Sequence, residues 1–177
     1  MALPAGAQGE MGTPSVKVAD QVVLDRMVTI TEIVSDGPGW LVIHADGGGS
    51  PGPVIGYRAL NSGATHNLAV EIDVTQATST LYAMLHTDTG EVGVYEFGTV
   101  EGADGPVRVN EQVVTPPFNI DLIDAQDQFV ADGQVTVGTV IAQQPGWLVI
   151  HSDADGSPGP VLGQTEVPAG LSSNVVV

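Results

Sequence analysis

The stretch GWLVIHADGGGSPGPVIG (39–56) returns as GWLVIHSDADGSPGPVLG (146–163), and this recurrence organises the whole chain. Working outward, Asp20 to Val70 aligns with Asp127 to Val177 without a gap, at an offset of 107, with 24 of 51 positions identical. Agreement that dense and gap-free marks duplication of one structural unit. Within the unit, Trp40-Leu-Val-Ile-His44 and Val28-Thr-Ile-Thr-Glu-Ile-Val34 are short, rich in β-branched and aromatic residues, and bounded by Gly, Pro, Asp and Ser clusters. Those features read as strands and turns. Turn signals such as Asp36-Gly-Pro-Gly39 and Thr89-Gly90 recur at the spacing of a sandwich, and no stretch offers a helix. The expected fold is all-β: tandem Ig-like antiparallel β-sandwich modules, the second incomplete.

The copies differ in extent. After Val70 the first copy continues through about four more expected strands, Glu71-Ile-Asp73, Thr80 to His86, Glu91 to Phe97 and Pro106 to Thr115, whereas Val177 is the final residue of the sequence. The organisation expected from this is an N-terminal arm (1–14), a complete module (15–118) ended by Pro116-Pro117, and a half-module (119–177). A half-sandwich exposes an apolar face and unpaired strand edges. Leaving roughly 500 to 1,000 Å² of apolar surface in water forfeits on the order of 12 to 25 kcal/mol. The residues expected to form an assembly interface are therefore Trp147, Leu148, Ile150, Val161, Leu162, Val175, Val176 and Val177, with the N-terminal arm as a donor of one strand at most.

Composition narrows the function. Twenty-one acidic residues against four Lys plus Arg produce a formal charge of −17 in 177 residues, a field that repels nucleic acid and anionic membrane surfaces. With no cysteine there is neither a disulfide framework nor a thiolate metal site. No segment approaches the ~20 apolar residues of a membrane span, and MALPAGAQGEMGTPS lacks the charged and apolar regions of a leader. The missing cysteines, scarce lysine and abundant Thr, Gly and Val point to an extracellular or cell-surface protein.

Three groups of residues carry candidate chemistry. His44-Ala-Asp46 and His151-Ser-Asp153 follow equivalent strands, and His86-Thr-Asp88 ends the Thr80 strand. His44, His86 and Asp88 are candidate metal ligands if their strands are neighbours, the plainer reading being a histidine that pins loop backbone. Asp153 and Asp155, before Gly156, alternate as calcium ligands do, although the first copy has glycine in place of Asp155. Asp88, Glu91 and Glu96 could share a cation or simply line a solvated hairpin. Trp40 and Trp147 read as core anchors, with sugar stacking as the alternative. No nucleophile elbow, phosphate loop or His-Glu-x-x-His occurs, so no enzyme is expected.

GWLVIHADGGGSPGPVIG (39–56), TLYAMLHTDTGEVGVYEF (80–97) and GPVRVNEQVVTPPF (105–118) resemble an extracellular repeat domain with no assigned activity. It occurs, often in tandem, in surface and secreted proteins of bacteria such as Chloroflexi and of haloarchaea. LHTDTGEVG is also similar to a hairpin of the secreted CHRD domain, whose relation to copper/zinc dismutases implies a histidine metal site. The expected function is a structural subunit of an extracellular filament or surface appendage, a homo-oligomer growing head to tail by strand or sheet complementation. The alternative is a metal- (calcium) or glycan-binding module of a larger secreted surface protein, of which this sequence is a fragment.

Overall fold

The computed structural model describes residues 12–177, so most of the expected N-terminal arm lies outside the described residues. In chain order the strands are β1 (Ser15–Lys17), β2 (Gln21–Val23), β3 (Met27–Ser35), β4 (Gly39–Asp46), β5 (Pro51–Leu60), β6 (Gly63–Glu71) and β7 (Thr80–Thr87), followed by β8 (Arg108–Val109), β9 (Gln112–Val113), β10 (Pro117–Asp124), β11 (Thr136–Ala142), β12 (Gly146–Ala154), β13 (Ser157–Val167) and β14 (Gly170–Val176). The described residues contain no α-helix, and no helix is long and apolar enough to cross a membrane. The all-β sandwich reading holds.

Alternation explains the first module. In β3, Val28 and Ile30 turn inward while Thr29 and Thr31 face solvent, the period-two pattern of a half-buried strand, and Ile33 is buried further along. β3 pairs with β1 and β6 to make one sheet; β5, β4, β7 and β10 make the other in that order. Between them lie Leu41, Ile43, Ile55, Val70, Leu81, Leu85, Phe118 and Ile120, all in one apolar cluster. Each such buried side chain contributes about 1.5–3 kcal/mol. One pairing departs from the antiparallel rule, since β2 runs parallel to β10.

The second module repeats the hairpins but not the closure. β11 pairs with β14 as β3 does with β6, and β12 with β13 as β4 does with β5. Both hairpins even place their irregularity at the same histidine, His44 and His151. A small core of Val137, Val140, Leu148 and Val167 holds the two β-ribbons together.

Four sequence expectations change. The boundary expected at 118/119 falls inside β10, whose start pairs with β7 and whose end pairs with β11. Leu122–Asp124 meets β11 in the register by which Ser15–Lys17 meets β3, so β10 is the last strand of one module and the first of the next. Pro117 opens this strand rather than stopping one, as proline can at a first strand position. The Glu91–Phe97 strand is absent: residues 88–105 form a turn-rich flap, with Gly90, Gly93, Gly98 and Gly102 at positive φ. Trp40 does not anchor the inter-sheet core, because Leu41, Ile43 and Ala45 take that face of β4 and turn Trp40 outward.

Candidate functional site

Two places concentrate functional geometry: the outer face of β4 and β7, and the open side of the second module. On the first, Leu81, Ala83 and Leu85 fill the core, which points Tyr82, Met84 and His86 to the opposite face of β7. β4 pairs with β7 so that Trp40 faces His86, Val42 faces Met84 and His44 faces Tyr82. The strands carrying the two histidines are thus neighbours, and the imidazoles lean together to a centroid separation of 5.8 Å with 29° between planes. Phe97 from the flap sets its ring edgewise to both, 4.6 Å from His86 and 6.4 Å from His44. Tyr95 stacks on Tyr57 at 4.1 Å and meets Trp40 at 5.4 Å.

Hydrogen bonds define the imidazoles. His44 Nδ1 lies 2.8 Å from the Gly52 carbonyl oxygen and His86 Nδ1 lies 2.7 Å from that of Asp104. A carbonyl only accepts, so each Nδ1 donates. His44 and His86 are 4% and 0% exposed. Their Nε2 atoms, with Trp40 Nε1 and Tyr95 Oη, are buried without a hydrogen-bond partner among the described residues. Burial pushes the His86 imidazole down to about 4, against the Asp104 carbonyl that favours its charge, and it lowers His44 in the same direction. Both are neutral at pH 7. Burial, followed by the nearby Asp104 carboxylate, raises the Tyr95 phenol.

Asp104 organises the flap. Its carboxylate accepts N–H bonds from Thr89 at 2.8 Å and Glu96 at 2.7 Å, and its own N–H donates to Thr89 Oγ1 at 2.9 Å. Asp88 accepts from the Gly93 N–H, and the Glu96 carboxylate accepts from the Glu91 N–H at 2.7 Å, so these acids hold turns. The sequence reading missed Asp104, Tyr57, Met84, Tyr95 and Phe97. The alternation Tyr95-Glu-Phe97 is the available signal, and by itself it reads as a strand.

The acidic loops have a local explanation. Asp46 accepts the Gly49 N–H at 2.7 Å, and Asp153 accepts the Gly156 N–H at 2.8 Å. The residues between, Gly48 and Asp155, sit at φ 90° and 55°, a left-handed position that glycine and aspartate both tolerate. The aspartate and glycine common to both copies are those the turn uses. Among the described residues no cluster of three or more His, Cys, Asp or Glu is arranged around a metal position.

On the open side, β12 pairs only with β13 among the described strands, although its counterpart β4 also pairs with β7. Trp147 is 57% exposed where Trp40 is 6%, and Leu162 is 69% exposed where Ile55 is 5%. Val161 and Val176 are exposed as well. Leu148 is buried, and Ile150, Val175 and Val177 are partly covered by the small core. Val130, Val135, Ile150, Leu162 and Val177 line an apolar groove of about 150 Å³. Their counterparts Val23, Val28, Ile43, Ile55 and Val70 all lie in the closed core of the first module.

A family model described as Domain of unknown function (DUF7282) matches residues 14–121 and 122–177. The chain belongs to the DUF7282 family. The family's two matched segments meet within β10, at the strand that both modules share. No curated protein and no solved structure matches the chain.

Proposed function

We propose that this DUF7282 chain is a structural subunit of an extracellular filament or surface appendage, joined to neighbouring copies through the open side of its second module. The observation that carries the reading is the groove of Val130, Val135, Ile150, Leu162 and Val177 beside β12, one edge of which pairs with no strand among the described residues. In the first module the same positions receive apolar side chains from β7 and β10, including Leu81, Phe118 and Ile120. What fits the groove is therefore a strand with alternating apolar residues, adding main-chain bonds to β12 and side chains to the pocket. A donor surface that differs from the acceptor makes the contact head-to-tail, and such contacts propagate unless rotation closes them. Strand β10 shows how modules couple, by one strand serving both. Gly12, Thr13 and Pro14 stand at the positions of Asn119, Ile120 and Asp121, so the arm has Thr13 where the core residue is Ile120. A neighbour's sheet, and not the arm alone, closes the module. The negative charge and absent cysteines suit a cation-rich, oxidising exterior.

Gly146 supplies a direct test. A Cβ on the equivalent Gly39 would run into the His86 carbonyl oxygen of β7, whereas at Gly146 the nearest atom is 4.0 Å away. Gly146→Ala should leave the isolated chain folded yet block an incoming strand. Sedimentation and negative-stain imaging of the wild type should show large species or filaments that Gly146→Ala and Leu162→Glu lose. A wild type that remains a dispersed monomer at high concentration, with Trp147 emission typical of water, would overturn the proposal.

A further inference from the structure

We infer that His44 and His86, with Met84 between them on the same sheet face, form a buried site for one soft monovalent metal ion of the Cu(I) class. Both Nδ1 atoms are committed as donors to backbone carbonyls, so each neutral ring holds its lone pair on Nε2. That is the arrangement of a metal-ligating histidine, whose other nitrogen is oriented by a carbonyl. Both Nε2 atoms are buried and unpartnered among the described residues, a state that buried polar atoms rarely keep. A metal–nitrogen distance of ~2.0 Å plus ~1.1 Å from nitrogen to ring centre sets the centroids of two imidazoles on one ion roughly 5–6 Å apart. The observed separation is 5.8 Å.

The second module isolates what is particular to this place. His151 keeps the bond from Nδ1 to the Gly159 carbonyl at 2.7 Å, yet its ring is exposed. The Nδ1 bond therefore belongs to the hairpin, while His86, Phe97 and the rest of the flap are additions of the complete module. Ion type follows from the donors. Two neutral imidazoles and the thioether at the Val42–Met84 register position offer neither the oxygens that calcium takes nor the four ligands of structural zinc. Low coordination by nitrogen and sulfur suits Cu(I) and its redox-inert analogue Ag(I). The buried Asp104 carboxylate, which pairs with no Lys or Arg among the described residues, favours a cation. The flap is held mainly by side-chain bonds to Asp104 rather than by a strand ladder, which makes it the door.

The full chain would be titrated with Ag(I), and anaerobically with Cu(I) against a chelating competitor, while ring-nitrogen NMR follows each histidine. One ion per chain is expected, shifting Nε2 of His44 and His86 and leaving His66 and His151 unchanged. Folded His86→Gln and His44→Gln should each weaken binding by roughly 100-fold or more, the upper end of what even outer-shell substitutions cost. Met84→Leu should weaken it by about tenfold and His151→Gln should not. Failure of the folded wild type to bind, or shifts confined to His66 and His151, would overturn the site and leave a buried water bridging the imidazoles. The NMR outcome on the wild type decides even where a variant does not fold.

Discussion

The two modules share nearly half of their aligned residues and the same pair of hairpins, yet one Trp-strand is buried on both faces and the other largely exposed. Trp40 lies under Tyr95 and beside Tyr57; Trp147, in the same sequence context, is in water. Val23 is 1% exposed against β10, and its counterpart Val130 is 67% exposed. Identical local sequence thus yields identical local structure and different burial, because burial comes from β7, β10 and the flap, which stand far along the chain.

The largest test of this contrast is truncation of the two tryptophans. Trp40→Ala should destabilise by about 3–5 kcal/mol, and Trp147→Ala in the dispersed chain by less than ~1, measured by denaturant unfolding. Gly39→Ala and Gly146→Ala should divide the same way, since only the first meets a neighbouring backbone. Equal effects within either pair would mean that the second module is already closed in solution.

Acid should act on the first module through His86. With His86 held down to about 4, both states are uncharged above pH 6.5, so no stability is lost there. As pH falls below 6.5 the unfolded chain takes up the proton first, and stability declines until the folded state also protonates near pH 4. Allowing for screening by solvent, the decline is on the order of 2 kcal/mol. The carboxylates of Asp20, Asp46 and Asp73, lowered chiefly by hydrogen bonds, lose their contribution only as pH falls through still lower values. His86→Gln should flatten the slope between pH 6.5 and 5. Melting followed across that window reads it.

A feature that both modules share should respond alike. Gln21 clamps Thr29 through two bonds of 2.8 and 3.1 Å, and Gln128 clamps Thr136 through two of 2.7 Å. Gln21→Ala and Gln128→Ala are each expected to cost about 1 kcal/mol, with hydrogen exchange of the clamped amide as the local readout. The smallest effect belongs to Asp155→Gly, which installs the residue of the first copy at a left-handed position. Its stability should change by less than about 0.5 kcal/mol, and the melting temperature should keep the same response to calcium as the wild type. Loss of a calcium-dependent shift in that variant would instead make Asp153 and Asp155 ligands.

What the sequence by itself determined is what short range decides. The duplication, the β class, and the hairpins with their Asp-to-Gly turns are all readable, because alternation and turn chemistry act within a few residues. Even the histidine pinning its own hairpin was legible from spacing in both copies. Tertiary structure alone decided that Trp40 faces the flap and not the core, since which side of β4 meets the second sheet depends on Leu41, Ile43 and their distant partners. It decided that Tyr95 and Phe97 belong to a flap gathered on Asp104, where side-chain bonds across fifteen residues override a strand-like pattern. It also turned Pro117–Asp124 into one strand with two allegiances. The pairing of His44 with His86 has the same origin: forty-two residues apart in sequence, they meet because β4 and β7 are neighbours in the sheet.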